Sequence, residues 1–164
     1  MKRWLSALFL GGLVLGSLPA ATISFLVIET GLPADSARPE SSSLWESGMM
    51  DSFFDAGHIV SNAPVLRVEH PPRDPEAKFP REASRELDEA RLGGADFFVV
   101  IFLNYRNNPL GKPGEIQVRI FRVSNGQLLY ETACGEYTGD KIEEEFQRIK
   151  KNAGKILPYL KEKE

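Results

Sequence analysis

A chain of 164 residues with 20 Lys and Arg against 23 Asp and Glu has room for one domain and carries a formal charge of −3. That mild acidity speaks against a nucleic-acid partner, which would require a basic stripe. One Cys excludes an internal disulfide, so the fold has to rest on its apolar core.

Residues 2–21 have the layout of a secretory signal: Lys2 and Arg3, an apolar stretch over 4–18, then Pro19, Ala20 and Ala21. Cleavage is expected near Ala20 or Ala21, although Leu18, three residues before Ala20, is not an ideal match. Loss of Lys2 and Arg3 takes the charge from −3 to −5 and leaves about 143 residues, enough to bury a core. A lipoprotein would carry a Cys just after the apolar stretch. The only Cys is Cys134, so that route to a lipid anchor is excluded. The competing reading is an uncleaved anchor, because residues 21–28 extend the apolar run to about spanning length. Thr22, Ser24, Val27 and Ile28 suit a strand better than a helix. That favours a signal over 1–21 and a single domain over 22–164.

In chain order, a strand over 22–29 is broken by Gly31 and Pro33, and a Pro-, Ser- and Ala-rich loop covers 33–43. Ser43 followed by Glu46 is a capping-box pattern that opens a helix through Ala56. Leu44, Trp45, Met49, Phe53 and Ala56 share one side of it, and Gly57 is placed to end it. A second strand over 58–68 is interrupted at 61–64. Pro64 cannot donate to a ladder, so this strand belongs at an edge or carries a bulge. Residues 69–80, with four prolines, form a loop. A helix over 81–92 carries Ala83, Leu87, Ala90 and Leu92 and ends at Gly93 and Gly94. Residues 97–103, FFVVIFL, are apolar without a polar face, as expected of a strand covered on both sides. A polar loop, 106–114, leads to an alternating strand over 116–123. Asn125-Gly126 is a strong hairpin signal, and 128–137 returns as its partner. Asp140 opens the last helix, whose stripe is Ile142, Phe146, Ile149, Ala153, Ile156 and Leu160. Pro158 kinks or ends it. Lysines in its later half and Glu143–Glu145 near its start suit the helix dipole.

The order β-α-β-α-β-β-β-α predicts an α/β domain: a single mixed sheet of about five strands. Its first three strands are parallel, the last two form an antiparallel hairpin extension, and the C-terminal helix packs on the sheet.

Chemistry is sparse. His58 and His70, with no third ligand at metal spacing, are not a zinc site. Asp51 and Asp55 read as a solvated helix face. Cys134 reads as a packed thiol. Neither a phosphate loop nor a serine elbow is present. No catalytic residue, metal site or cofactor is assigned. One surface is specific. With a two-residue Asn125-Gly126 loop, Val123 faces Leu128 and Phe121 faces Tyr130. Phe121, Val123, Leu128 and Tyr130 then share a face with Arg119 and Thr132, opposite Ile116, Val118, Ile120, Leu129 and Ala133. The four form a candidate partner-binding patch, unless a helix covers them.

Three features carry a resemblance. The strand ISFLVIE leads through a loop into a helix, a helix ends in ARLGGADFFVVIFL, and a strand pair closes at RVSNGQLLYE. In layout, 22–137 resembles a group of bacterial envelope domains that includes the amino-terminal domain of TolB, the penicillin-binding-protein activator lipoproteins and the curli secretion lipoproteins. The resemblance implies a periplasmic or secreted module without catalysis, whose partner is another envelope protein. Two other functions stay open. One is a small periplasmic enzyme or ligand-binding domain using loops 69–80 and 106–114. The other is a membrane-anchored sensor domain held by an uncleaved N-terminal helix.

Overall fold

A computed structural model describes residues 20–68, 81–106, 111–133 and 142–160, the side chain of Glu82 excepted. Among the described residues six strands form one sheet: β1 (Thr22–Thr30), β2 (Ile59–Asn62), β3 (Leu66–Val68), β4 (Phe97–Asn104), β5 (Glu115–Arg122) and β6 (Leu128–Ala133). The lateral order is β2-β1-β4-β5-β6, and β3 pairs with the far end of β1. β1 runs parallel to β2, β3 and β4, while β4, β5 and β6 are antiparallel. The helices are α1 (Glu40–Asp55), α2 (Ser84–Leu92) and α3 (Ile142–Ile156). The expected mixed α/β sheet, with its parallel start and antiparallel extension, is the architecture observed.

β1 and β4 are apolar on both pleats because both faces are covered. Ile23, Phe25 and Val27 of β1 join Val99, Ile101 and Leu103 of β4 beneath Trp45, Met49 and Phe53 of α1 and Ile149, Ala153 and Ile156 of α3. Leu26, Ile28, Phe98, Val100 and Phe102 point the other way, with Ala90 of α2 and the preceding Ala83. Each such side chain contributes about 1.5–3 kcal/mol on burial.

Both early helices end alike. At α1, Gly57 takes φ +88°. Its N–H donates to Phe54 C=O (2.8 Å) and that of His58 to Phe53 C=O (3.1 Å). At α2, Gly94 takes φ +73°, with Gly94 N–H on Arg91 C=O and Ala95 N–H on Ala90 C=O. These are Schellman closures, and the left-handed residue is glycine in each because it lacks a Cβ.

Four expectations are corrected. α1 starts at Glu40 after Pro39, without a side-chain cap, so Ser43 lies inside the helix and the capping box is not its start. Ser41 and Ser42 enter the helix because their hydroxyls bond Glu145 and Tyr105. The second strand is two strands, split at Ala63–Pro64–Val65, each half pairing with β1. Leu92, Ile142 and Ala56 are exposed rather than in the core; Leu92 lies off the stripe of Ala83, Leu87 and Ala90 by half a turn. The end of α3 is not among them: as expected of Pro158, the helix stops at Ile156, and Pro158 sits in a 3-10 turn over Leu157–Leu160.

The hairpin register is the fourth. Gly126 N–H donates to Arg122 C=O (2.8 Å) and Arg122 N–H to Gln127 C=O (2.9 Å), so the connection spans four residues, 123–126. Phe121 pairs with Leu128 and Ile120 with Tyr130, leaving Leu129 as a bulge. Tyr130 therefore faces α3 and not the α2 side. Thr132 pairs with Val118 and moves to that face too. Asp140 and the expected continuation of β6 over 134–137 lie outside the described residues.

Candidate functional site

In an open parallel sheet, ligands meet the carboxyl ends of strands where successive crossovers leave toward opposite faces. Here α1 covers one face and α2 the other, so that position falls between β1 and β3. Glu29 of β1 stands there, fully buried, opposite Arg67 of β3. Arg67 Nε donates to Glu29 Oε2 (2.8 Å), and its Nη1 donates to the carbonyls of Ala34 (3.2 Å) and Ser36 (2.5 Å). Arg38 Nε lies 3.5 Å from Glu29 Oε1, and its Nη2 lies 2.8 Å from Glu46 Oε2. Asn62 Nδ2 donates to the other Glu46 oxygen (3.2 Å). Two guanidinium groups thus neutralise two carboxylates and pin the loop over 31–39 to the sheet edge.

A second polar group lies on the same face. Tyr105, just past β4, shares a 2.6 Å hydrogen bond with Ser42. Glu145 of α3 accepts from the Trp45 indole N–H (2.9 Å) and from the Ser41 hydroxyl. Burial pushes the Tyr105 phenol up to about 12, and the negative charges of Glu29 and Glu145 add to it against the opposing Ser42 bond. Backbone packing here is close: Gly31 has φ +76°, and a Cβ on it would lie 2.7 Å from Arg106 N. Most donors and acceptors of both groups meet one another or loop carbonyls, while Glu29 Oε1 makes no hydrogen bond and has only Arg38 Nε at 3.5 Å. Chemically, such an arrangement holds elements in place. Among the described residues, no three His, Cys, Asp or Glu side chains gather closely enough to hold a metal.

The patch read from the hairpin is divided. Phe121 and Val123 are buried on the α2 side with half-buried Leu128. Tyr130 is on the opposite face, stacked on Tyr159 with ring centroids 4.4 Å apart. Asp51 and Asp55 are solvated, as expected. His58 is buried, with Nδ1 accepting from Ala21 N–H (3.2 Å). His70, Cys134, the loop over 69–80 and residues 107–110 lie outside the described residues. Sequence reasoning missed Glu29, Arg38, Arg67, Tyr105 and Glu145. One signal was there: Glu29 continues the inward phase of Ile23, Phe25 and Val27, and a carboxylate in that phase requires a buried cation.

Besides Leu92 and Ile142, two large apolar side chains among the described residues are exposed near one edge of the sheet. Phe54 is 70% exposed and Ile59 60%, on either side of the turn joining α1 to β2. β2 closes the sheet on that side, and among the described residues nothing pairs with its outer edge. No helix among the described residues is long and apolar enough to cross a membrane.

No protein-family model matches the sequence, and no curated protein matches it. Solved structures do. A PelC dodecamer from Paraburkholderia phytofirmans is 17% identical, over 88% of this chain and 90% of that one, with a TM-score of 0.50. Lipoprotein GNA1162 from Neisseria meningitidis is 10% identical over 84% and 99%, with a TM-score of 0.46. The LpoB C-terminal domain from Escherichia coli is 11% identical over 76% and 87%, with a TM-score of 0.42. At these identities the likeness is one of fold. The neighbours include proteins of the kind the sequence layout resembles.

Proposed function

We propose that this chain is an exported, non-enzymatic accessory module of the bacterial cell envelope that works by binding another envelope protein. The observation that carries this is the β2 edge, a short strand whose outer ladder is unpaired among the described residues, near the exposed Phe54 and Ile59. Such an edge accepts an extended segment by strand addition, with the flanking apolar side chains supplying contact area. The charged cluster at the switch point neutralises itself, which supports a structural rather than a catalytic role for it. Residues 2–21, with the layout of a secretory signal, support export.

The test is affinity purification of the C-terminally tagged chain from gently crosslinked envelopes, with partners quantified by mass spectrometry. The comparison is Phe54→Ser/Ile59→Thr, two exposed positions where substitution changes stability by only about 0.5 kcal/mol each. A discrete envelope protein recovered with the wild type and lost with the double variant is the expected result. A partner retained by the double variant would move the site away from β2. Absence of any enriched envelope protein would sink the binding role. Phe121→Ser is not a usable probe, since Phe121 is fully buried.

A further inference from the structure

Ala20 is exposed and stands outside the sheet, whereas Ala21 is buried in the core. From Ala21 onward the strand start is fully engaged. Its carbonyl accepts from Ile59 N–H (2.9 Å), and that of Thr22 accepts from Asp96 N–H (2.8 Å). The first two nitrogens of this segment both meet side-chain acceptors. Ala21 N–H donates to His58 Nδ1 at 3.2 Å, and Thr22 N–H to Asp96 Oδ2 at 2.8 Å. An imidazole nitrogen and a carboxylate on consecutive main-chain nitrogens make a receptor suited to positive charge. Among the described residues, Asp96 has no cationic partner of its own.

We infer that the chain is processed between Ala20 and Ala21, and that His58 and Asp96 receive the new α-ammonium group. The inference rests on the export reading. The reaction is hydrolysis by a signal-type endopeptidase, which cuts after a small residue. Water adds across the Ala20–Ala21 peptide bond, Ala20 leaves as a carboxylate, and the Ala21 nitrogen takes up protons. The nitrogen changes from a neutral donor with one hydrogen to a cation with three. It keeps its bond to the neutral acceptor nitrogen of His58 and gains attraction to Asp96, and charge-assisted bonds of this sort are the stronger ones. A cut one residue later would delete the Ala21 side chain from the core, the bond from Ile59 and the donor to His58. Ala20 is the last residue whose loss leaves all three intact.

The full chain, tagged at its C-terminus and expressed in a bacterium, is recovered from the envelope fraction and its amino terminus read by sequencing and intact mass. A start at Ala21 is expected. A start at Thr22 or elsewhere in an exported chain overturns this inference and leaves export standing. A retained Met1 overturns both. The receptor is tested on the processed protein by acylation of the α-amine, compared with the free peptide Ala-Thr-Ile-Ser-Phe. The protein is expected to react about tenfold more slowly, the effect of raising the amine pKa by about one unit. His58→Leu and, separately, Asp96→Asn shift the rate back toward that of the peptide. Equal rates for wild type and peptide overturn the receptor, whatever the variants do.

Discussion

Tyr105 keeps its proton because the space around it favours no further negative charge. Its ordinary value of 10.0 is raised to about 12, first by burial and then by Glu29 and Glu145. A group raised in this way contributes stability that is complete below its unfolded value and lost as pH climbs through the folded one. The loss therefore falls between pH 10 and about 12 and amounts to roughly 3 kcal/mol at most. Tyrosinate absorbance should show one of the four tyrosines ionising last, together with unfolding. Tyr105→Phe should flatten the alkaline stability slope, and an unchanged slope would show that the burden lies on another group. Glu145 makes the matching case for an acceptor. Glu145→Ala strands the buried Trp45 N–H and Ser41 O–H, an expected loss of about 3 kcal/mol in urea unfolding. Glu145→Gln keeps an acceptor oxygen and should cost about 1 kcal/mol. Equal losses for the two would show that charge, not hydrogen bonding, is what α1 requires.

Between elements, contact distance decides what composition only hints at. Gly48 sits mid-helix in α1, where alanine would favour the helix by about 1 kcal/mol. A Cβ there would come within 3.0 Å of Ile149 Cγ2, so glycine lets α1 and α3 approach. Gly48→Leu should separate them at a cost of about 1–3 kcal/mol, read from the thermal midpoint. A neutral result would mean that α3 moves aside freely. The hairpin shows the opposite limit. Asn125-Gly126 announces a turn, but the ladder is closed by Arg122 and Gln127 and then slips at Leu129. A one-residue slip exchanges faces, because side chains alternate along a strand. That is why Tyr130 packs against Tyr159 and not beside Phe121.

Across the molecule, α3 packs beside α1 on the same face of the sheet, so that face of the core is completed only when residues 142–160 are in place. A chain truncated before Ile142 should leave Trp45, Met49 and Tyr130 uncovered. Loss of amide chemical-shift dispersion would register that failure, and a native-like spectrum would show that α1 alone covers the sheet. Much of the architecture was legible in one dimension. The unbroken apolar run at 97–103 determines a strand covered on both sides, and the β-favouring residues over 22–29 determine another strand. Gly57 and Gly94 mark helix ends, Pro64 marks a break, and the element order determines a mixed sheet, because crossover length separates parallel from antiparallel neighbours. Only the tertiary structure decided the rest. Which strand face Tyr130 takes depends on a bulge. Burial of Glu29 depends on Arg67, 38 residues away, and on Arg38 reaching back from the loop. Among the described residues the outer edge of β2 is unpaired because of its place in the lateral order. Such outcomes are set by pairing between distant segments, and hydrophobic periodicity records which side chains seek burial but not which partners they meet.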